Sequence, residues 1–407
     1  MKLAIFSHKP CWRCDSSPTG FATDGGFPFQ VAAFAELFDE TILLVPSYSG
    51  TNRLGEIPLR GARLRVVPLA PPFGSGLARK LLFPVWFMCA APTIMKEFFK
   101  ADAVHAPIPG DVGTVGMLLT WAFRKPLFVR HCGNWLCPAT LAEKFWRWFM
   151  ETFAGGRNLM LATGGTAEPP SIKNPNVRWI FSTSLTQQEL QVYAGERTYP
   201  STGPVRLIIV ARQEIAKGAA TVIQSLPLLA KRFPQMSFDI VGEGSAIPAL
   251  QQLARESGVQ EQVHFSGKLN HDQVMQRLRD AHLFVFPTTS SDGFPKAVLE
   301  ALAGGLPVVA TRVSVLPRLL GNGCGVLVEA TPQDVARGIE QALSDSVLYE
   351  AMSQKAIETA RHYSLEAWSH TIGKYLTAAW GPLKKEGRGK KTEDSSQRSV
   401  VRGLSVP

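Results

Sequence analysis

Residues 287–311 read PTTSSDGFPKAVLEALAGGLPVVAT, and this stretch decides the fold. Just ahead of it, LFVF at 283–286 is a short apolar run closed by Pro287, the composition of a parallel strand buried on both faces. Residues 288–293 have loop composition. Pro295 suits the first position of a helix, where the missing N–H would be an orphan anyway. Ala297, Val298, Leu299, Ala301, Leu302 and Ala303 then keep helical spacing, and Gly304-Gly305 ends it. The next strand opens at Leu306. Strand, loop, helix, strand is the repeating unit of a doubly wound α/β sheet, and such sheets bind ligands beyond the carboxyl ends of their strands. A helix that opens at that edge offers free N–H groups and a partial positive charge, which suits a phosphate. Asp292 precedes the helix and Glu300 lies within it, about two turns in if the helix starts near Phe294. One carboxylate at each end of a polar ligand could hold two sets of hydroxyls; the plain alternative is a capping acid and one surface glutamate.

The same alternation runs along the chain. Strands are expected at 2–7, 40–46, 62–68, 102–106, 127–130 and 179–184, then at 205–210, 236–241, 263–267 and 325–328. Helices are expected at 27–38, 73–100, 111–123, 141–153, 272–279 and 364–380. Residues 11–26 and 163–176 read as loops, and 194–203 as a linker. The first strand is followed by SHKPCWRC rather than G-x-G-x-x-G, which excludes a nicotinamide-type oxidoreductase.

At 407 residues, with 45% hydrophobic and 19% charged residues, the chain can build two domains with real cores. Its net charge of +10 is uneven: residues 1–200 carry 20 basic and 14 acidic side chains, 201–383 carry 16 of each, and 384–407 carry 7 and 3. The basic front half suits anionic partners: phosphates, an acidic lipid surface or an anionic acceptor. No basic face with interleaved aromatics stands out, so nucleic acid is not expected. The start, MKLAIFSHKP, is too short and polar for a signal peptide. The most apolar window, 81–95, contains Pro84 and Pro92 and falls short of a span, so a cytoplasmic location is expected. The pairs Cys11/Cys14 and Cys132/Cys137 could form a metal site only if their loops met; buried reduced thiols are the expectation, with no metal.

Chemistry-bearing residues cluster at predicted strand ends. His105, in VHAPIPGD, and His131, in VRHCGNW, both lie on the functional edge. Gly25-Gly26 opens the first helix and allows close approach of backbone to a ligand. Arg212 and Lys217, in ARQEIAKG after the strand 205–210, are two cations able to stabilise charge on a leaving group. Gly242 and Gly244 form a lone G-x-G, a weak nucleotide signal.

The stretch SDGFPKAVLEALAGGLPVVAT resembles the E-x7-E signature of family-4 retaining glycosyltransferases, which have the GT-B fold. The resemblance extends to about residue 380. It implies an α/β chain of two Rossmann-like domains facing a central cleft. Residues 1–200 would bind the acceptor, 203–363 the nucleotide-sugar donor, and a helix at 364–383 would cross back onto the front domain. The basic tail, 384–407, is disordered by composition. In the family the second acid, here Glu300, holds the donor's ribose, and the first contacts the donor sugar. Asp292 stands at that first position in place of glutamate. Arg212 and Lys217 correspond to the pair that neutralises the donor diphosphate, with Ala211 where a glycine is usual. His131 corresponds to a histidine facing the donor sugar, and His105 to one at the preceding strand end. Gly293, Phe294, Pro295 and Lys296 frame the helix start on the donor side, Gly267 sits near the base, and Gly25-Gly26 near diphosphate or acceptor. Residues 314–318 read SVLPR where the family carries a glycine pair and PEL.

The implied reaction is hexosyl transfer from a nucleotide sugar to a hydroxyl, with retention and without metal or cofactor, in polysaccharide or glycolipid biosynthesis. The alternative is a catalytically weak nucleotide-sugar-binding protein. The expected acceptor is a saccharide or lipid-linked molecule. The apolar-basic helices 77–100 and 141–153, the latter with Lys144, Trp146, Arg147, Trp148 and Phe149, either lie on an anionic membrane at its inner face or fill the core; the core is the expectation.

Overall fold

The computed structural model describes residues 1–50, 56–201, 203–291 and 293–385. In the front lobe the elements are β1 (Lys2–Phe6), β2 (Cys11–Arg13), β3 (Phe21–Asp24), α1 (Phe27–Ala35), β4 (Glu40–Tyr48), β5 (Glu56–Pro58) and β6 (Leu64–Leu69). They continue with α2 (Gly76–Lys100), β7 (Ala103–Ile108), α3 (Asp111–Ala122), β8 (Leu127–His131), α4 (Leu141–Phe153), β9 (Asn158–Thr163), β10 (Val177–Ile180) and α5 (Gln187–Tyr193). The parallel order β10-β9-β8-β7-β1-β4, with β6 on the far side of β4, makes the front sheet. A small antiparallel extension, β2-β3-β5, continues from the carboxyl end of β4.

The back lobe contains β11 (Arg206–Val210), α6 (Ala219–Leu229), β12 (Ser237–Val241), α7 (Ile247–Glu256), β13 (Val263–Gly267), α8 (His271–Asp280) and β14 (Leu283–Phe286). After these come α9 (Lys296–Ala303), β15 (Val308–Thr311), α10 (Leu316–Leu320), β16 (Gly325–Val328), α11 (Pro332–Ala342) and α12 (Ser346–Arg361). Its sheet is all parallel, in the order β13-β12-β11-β14-β15-β16. The strands bury both faces, as their unbroken apolar runs require: every residue of β14 and β15 is buried. The last helix, α13 (Leu365–Trp380), leaves the back lobe and buries Trp368, Ile372 and Leu376 in the front core beside Phe34, Ile5 and Leu43. Leu185 and Leu190 belong instead to the back core, although they precede the expected linker.

The sequence reading needs four corrections here. The expected loop 11–26 carries β2 and β3, and β9 (NLMLAT) is a full central strand where none was expected. β7 runs three residues past His105, so that side chain lies inside the strand and not at its end. Pro295 is the residue before α9 rather than its first, so Glu300 stands only just over one turn in.

A fifth correction concerns α2. Its 78–100 portion is long and apolar enough by composition to cross a membrane, yet Trp86, Ile94 and Phe98 are fully buried against the front sheet. The helix therefore lies along the lobe, apolar on two faces. Leu81 (71% exposed), Val85 (50%) and Met88 (75%) form an outward stripe at i, i+4, i+7 that the core does not cover. α4 is anchored more firmly. Phe149 and Met150 are buried, Trp146 donates to Thr114 Oγ1 at 2.9 Å, and Arg147 pairs with Glu151 at 3.2 Å; Trp148 and, less so, Phe145 stand out on its aromatic run.

Candidate functional site

The turn after β11 is a rigid platform. Gln213 is fully buried, and its side-chain amide donates to Ala211 O (3.0 Å) and Val241 O (2.9 Å). The Gly242 and Gly244 pair accommodates this turn: a Cβ on either would collide with the backbone of Ala211 or Gln213. The G-x-G therefore serves to pack the Arg212 turn, and reading it as a nucleotide motif is unnecessary. Ala211 keeps a negative φ, which is why no glycine is needed there.

Arg212 is exposed at the end of this turn and Lys217 is buried five residues on. Burial lowers the Lys217 amine pKa, Arg212 lowers it further, and Glu214 pulls the other way. A Cβ on Gly218 would strike Pro287 O, and Thr288 Oγ1 (2.9 Å) and the Thr289 amide (2.9 Å) both donate to Ala216 O. The polar loop after β14 is thus tied to the Lys217 turn, and Thr311 Oγ1, donating to Thr288 O, ties it to β15. Asp292 lies outside the described residues.

Beyond that loop the back lobe meets the front. A Cβ on Gly293 would stand 2.9 Å from Thr163 O and 3.3 Å from Gly133 O. Phe294 packs between Phe181 (6.2 Å) and Tyr363 (5.6 Å). Pro295 precedes α9, and Lys296 opens it, its Nζ only 2.5 Å from where a Cβ on Gly26 would lie. Gly26 is the residue before α1, and Gly25 holds φ +67°, so the first helix opens at this junction.

Glu300 is 14% exposed and lies 3.8 Å from His271 Nδ1. Burial raises its carboxyl pKa, opposed by His271 and Lys296. His271 is the first residue of α8, and its Nε2 lies 3.5 Å from Tyr193 OH. Gly267 closes β13 with φ +65°, and its carbonyl accepts from the Gly242 amide at 2.7 Å.

The two histidines part company. His131 closes β8, meets Trp135 edge-on at 5.4 Å and sits beside Gly133. Burial pushes its pKa down to about 4, and among the described residues Nδ1 has no hydrogen-bond partner. His105 is a core residue, which corrects the donor-side expectation: it stacks on Phe128 at 4.1 Å, its Nδ1 lies 3.1 Å from Phe128 O, and burial takes its pKa to about 3.

Both imidazoles are neutral in the folded chain near pH 7, and this carries a consequence for stability. Below about pH 6.5 the unfolded chain takes up protons that the folded one refuses, so stability falls as pH drops through the range down to about 4 for His131 and about 3 for His105. Each group contributes a slope of on the order of 1.4 kcal/mol per pH unit. Melting curves between pH 7 and 4.5 should show His131→Gln with a shallower acid decline than the parent; superimposable declines would contradict the burial argument.

Sequence reading missed Thr163, Gly133, Ser184, His271, Tyr193 and Arg130, which all border this junction. Thr163 ends the unrecognised β9, so a signal existed in the apolar run NLMLAT between glycine pairs. The cysteines do not gather: Cys11 is buried in β2, its thiol pushed up to about 11, while Cys132 and Cys137 are exposed.

With this geometry in place, residues 197–359 match the family Glycosyl transferases group 1. This part of the chain is similar to the group 1 glycosyltransferases. Its relatives include a phosphatidylinositol N-acetylglucosaminyltransferase subunit from Arabidopsis thaliana, 30% identical over 36% of this chain and 32% of that protein. Phosphatidyl-myo-inositol mannosyltransferase of Mycobacterium tuberculosis is 30% identical over 42% of this chain and 45% of that protein. The chain thus spans about a third to under half the length of these relatives. The fold of the whole chain is GT-B. Anabaena Alr3699/HepE, solved with UDP and glucose, superposes with a TM-score of 0.65 at 16% identity, covering 93% of this chain and 100% of that one. The sugar-transferase match falls on the lobe that carries Arg212, Lys217 and Glu300.

Proposed function

We propose that this chain transfers a hexosyl group from a nucleotide sugar to an acceptor hydroxyl, with retention of anomeric configuration. The observation that carries the reading is the shared edge. The Arg212–Lys217 turn is bonded to the loop that leads into α9, and Glu300 follows as the fifth residue of that helix. In this reading Arg212, Lys217 and the amide groups opening α9 take the charge that grows on the departing diphosphate. Glu300 grips the ribose, and the leaving phosphate itself accepts the proton of the incoming hydroxyl, so no protein base and no metal are used. His131, neutral and buried at the opposite wall, accepts or donates one hydrogen bond to a sugar hydroxyl.

A thermal-shift panel of UDP, GDP, ADP and dTDP tests this reading. One nucleotide should raise the melting temperature in a dose-dependent way, by mass action on the folded state. A flat response to all four removes the donor assignment.

The acceptor in this proposal is lipid-linked and reached at an anionic membrane surface. Support comes from the outward stripe Leu81, Val85 and Met88 on α2, exposed Trp121 and Trp148 on the same lobe, and basic residues such as Arg79, Lys80 and Lys96 along the helix. Both relatives named above carry phosphatidylinositol in their names. The triple variant Leu81→Glu/Val85→Glu/Met88→Glu should lose most co-sedimentation with vesicles containing phosphatidylglycerol, while keeping its nucleotide-dependent melting shift. Equal co-sedimentation of variant and parent would remove the membrane face from the proposal.

A further inference from the structure

The junction between the lobes holds two cations that the transfer step proposed above leaves without a role. Arg130, in β8, is 4% exposed. Its Nη2 donates to Gln30 Oε1 at 2.8 Å and its guanidinium lies 5.1 Å from the Trp368 ring, but among the described residues Nε and Nη1 are buried without a partner. Gln30 belongs to the first turn of α1, and its amide donates to Thr183 O (2.9 Å) and Ser182 Oγ (3.2 Å). The guanidinium is therefore held against the amino end of that helix.

Lys296 reaches the same place from the back lobe, with Nζ at Gly26 and beside Ser184. Burial lowers its amine pKa first and Arg130 lowers it further, while Glu300, one turn along, raises it. Among the described residues Lys296 makes no hydrogen bond or ion pair. Lys9 also faces this spot but is already paired with Asp24. α1 opens with no side-chain cap and no acidic residue in its first turn. Glu300 offsets the Lys296 charge in part, while the buried, half-satisfied guanidinium of Arg130 and the positive helix end still favour an anion beside them.

We propose that Arg130, Lys296 and the open amino end of α1 form a second oxyanion subsite, built to hold a phosphate group apart from the one served by Arg212 and Lys217. It rests on the reading of this cleft as the place of transfer. Two molecules could bring that phosphate: the donor, through the second phosphate of its diphosphate, or the acceptor, through a phosphate of its own. Either way the group bridges the lobes, since Lys296 comes from one and Arg130 from the other.

The test uses the full chain, with sodium phosphate as probe and chloride balancing ionic strength. Phosphate should raise the parent's melting temperature, Lys296→Met should weaken phosphate affinity roughly tenfold, and Lys296→Arg should restore most of it. Arg212→Gln should leave this response largely intact. Arg130→Met is the second variant, should Lys296→Met fold poorly. The source is then read with the nucleoside diphosphate chosen by the panel. A roughly tenfold weaker nucleotide affinity in Lys296→Met assigns the subsite to the donor. Unchanged nucleotide affinity, with loss of the phosphate response in nucleotide-saturated protein, assigns it to the acceptor. Phosphate and nucleotide affinities both equal to the parent's overturn the subsite. If no nucleoside diphosphate binds the parent, the donor reading fails and the phosphate titration alone judges the subsite.

Discussion

Lys217→Met is expected to lower turnover by about 10²- to 10³-fold while raising the donor's KM much less. Lys217 is buried at the end of the turn that also carries Arg212, and the next residue, Gly218, abuts Pro287 at the head of the ligand loop. Its position is fixed before any ligand arrives. A fixed charge matters most where negative charge grows, which in sugar transfer is the departing diphosphate, so its loss falls on the transition state more than on the ground state. Methionine keeps the volume and the packing. Initial-rate measurements over a range of donor concentrations check this. A variant with unchanged kcat and a raised KM would make Lys217 a binding residue only.

Glu300→Ala is expected to weaken nucleoside-diphosphate binding by roughly 10- to 100-fold, the range for loss of charge-assisted hydrogen bonds. Glu300 is nearly enclosed, and burial raises its pKa against the pull of His271 and Lys296. A carboxylate kept in that environment gains most from ligand hydroxyls that donate to it. Titration calorimetry with the nucleotide selected by the panel and with inorganic pyrophosphate separates the contributions. The variant should lose affinity for the nucleotide but keep it for pyrophosphate, which has no ribose. Equal losses for both ligands would place Glu300 in the phosphate site and remove its ribose role.

The residues behind these two predictions were legible because their meaning is local. Arg212, Lys217 and Glu300 each stand at a fixed distance from an apolar run that can only be a buried strand, and the switch-point rule then puts them on one edge. What depended on neighbours in space was not legible. Arg130 reads as one more basic residue until β8 places it over Gln30 and Trp368. His271 reads as a helix-start residue until α8 brings it to Glu300. His105 was misread because the strand was expected to stop at 106. Pro107 instead stays in register with Arg130, carrying His105 down into the core. The α2 helix shows the limit of composition. Its apolar residues were expected to fill the core, and Trp86, Ala90, Ile94 and Phe98 do, but a helix apolar on two sides can bury only one against a single sheet.

The central claim is that a nucleotide's phosphates sit on the carboxyl edge of the back sheet, between the Arg212–Lys217 turn and the start of α9. Hydrogen–deuterium exchange of the full chain, with and without the nucleoside diphosphate chosen by the panel, reads this directly. Binding should slow exchange in the peptides spanning 211–218, 265–271 and 293–301, with smaller protection around 24–30 and 131–134. Protection confined to other surfaces, with those segments exchanging as in the free protein, would contradict it.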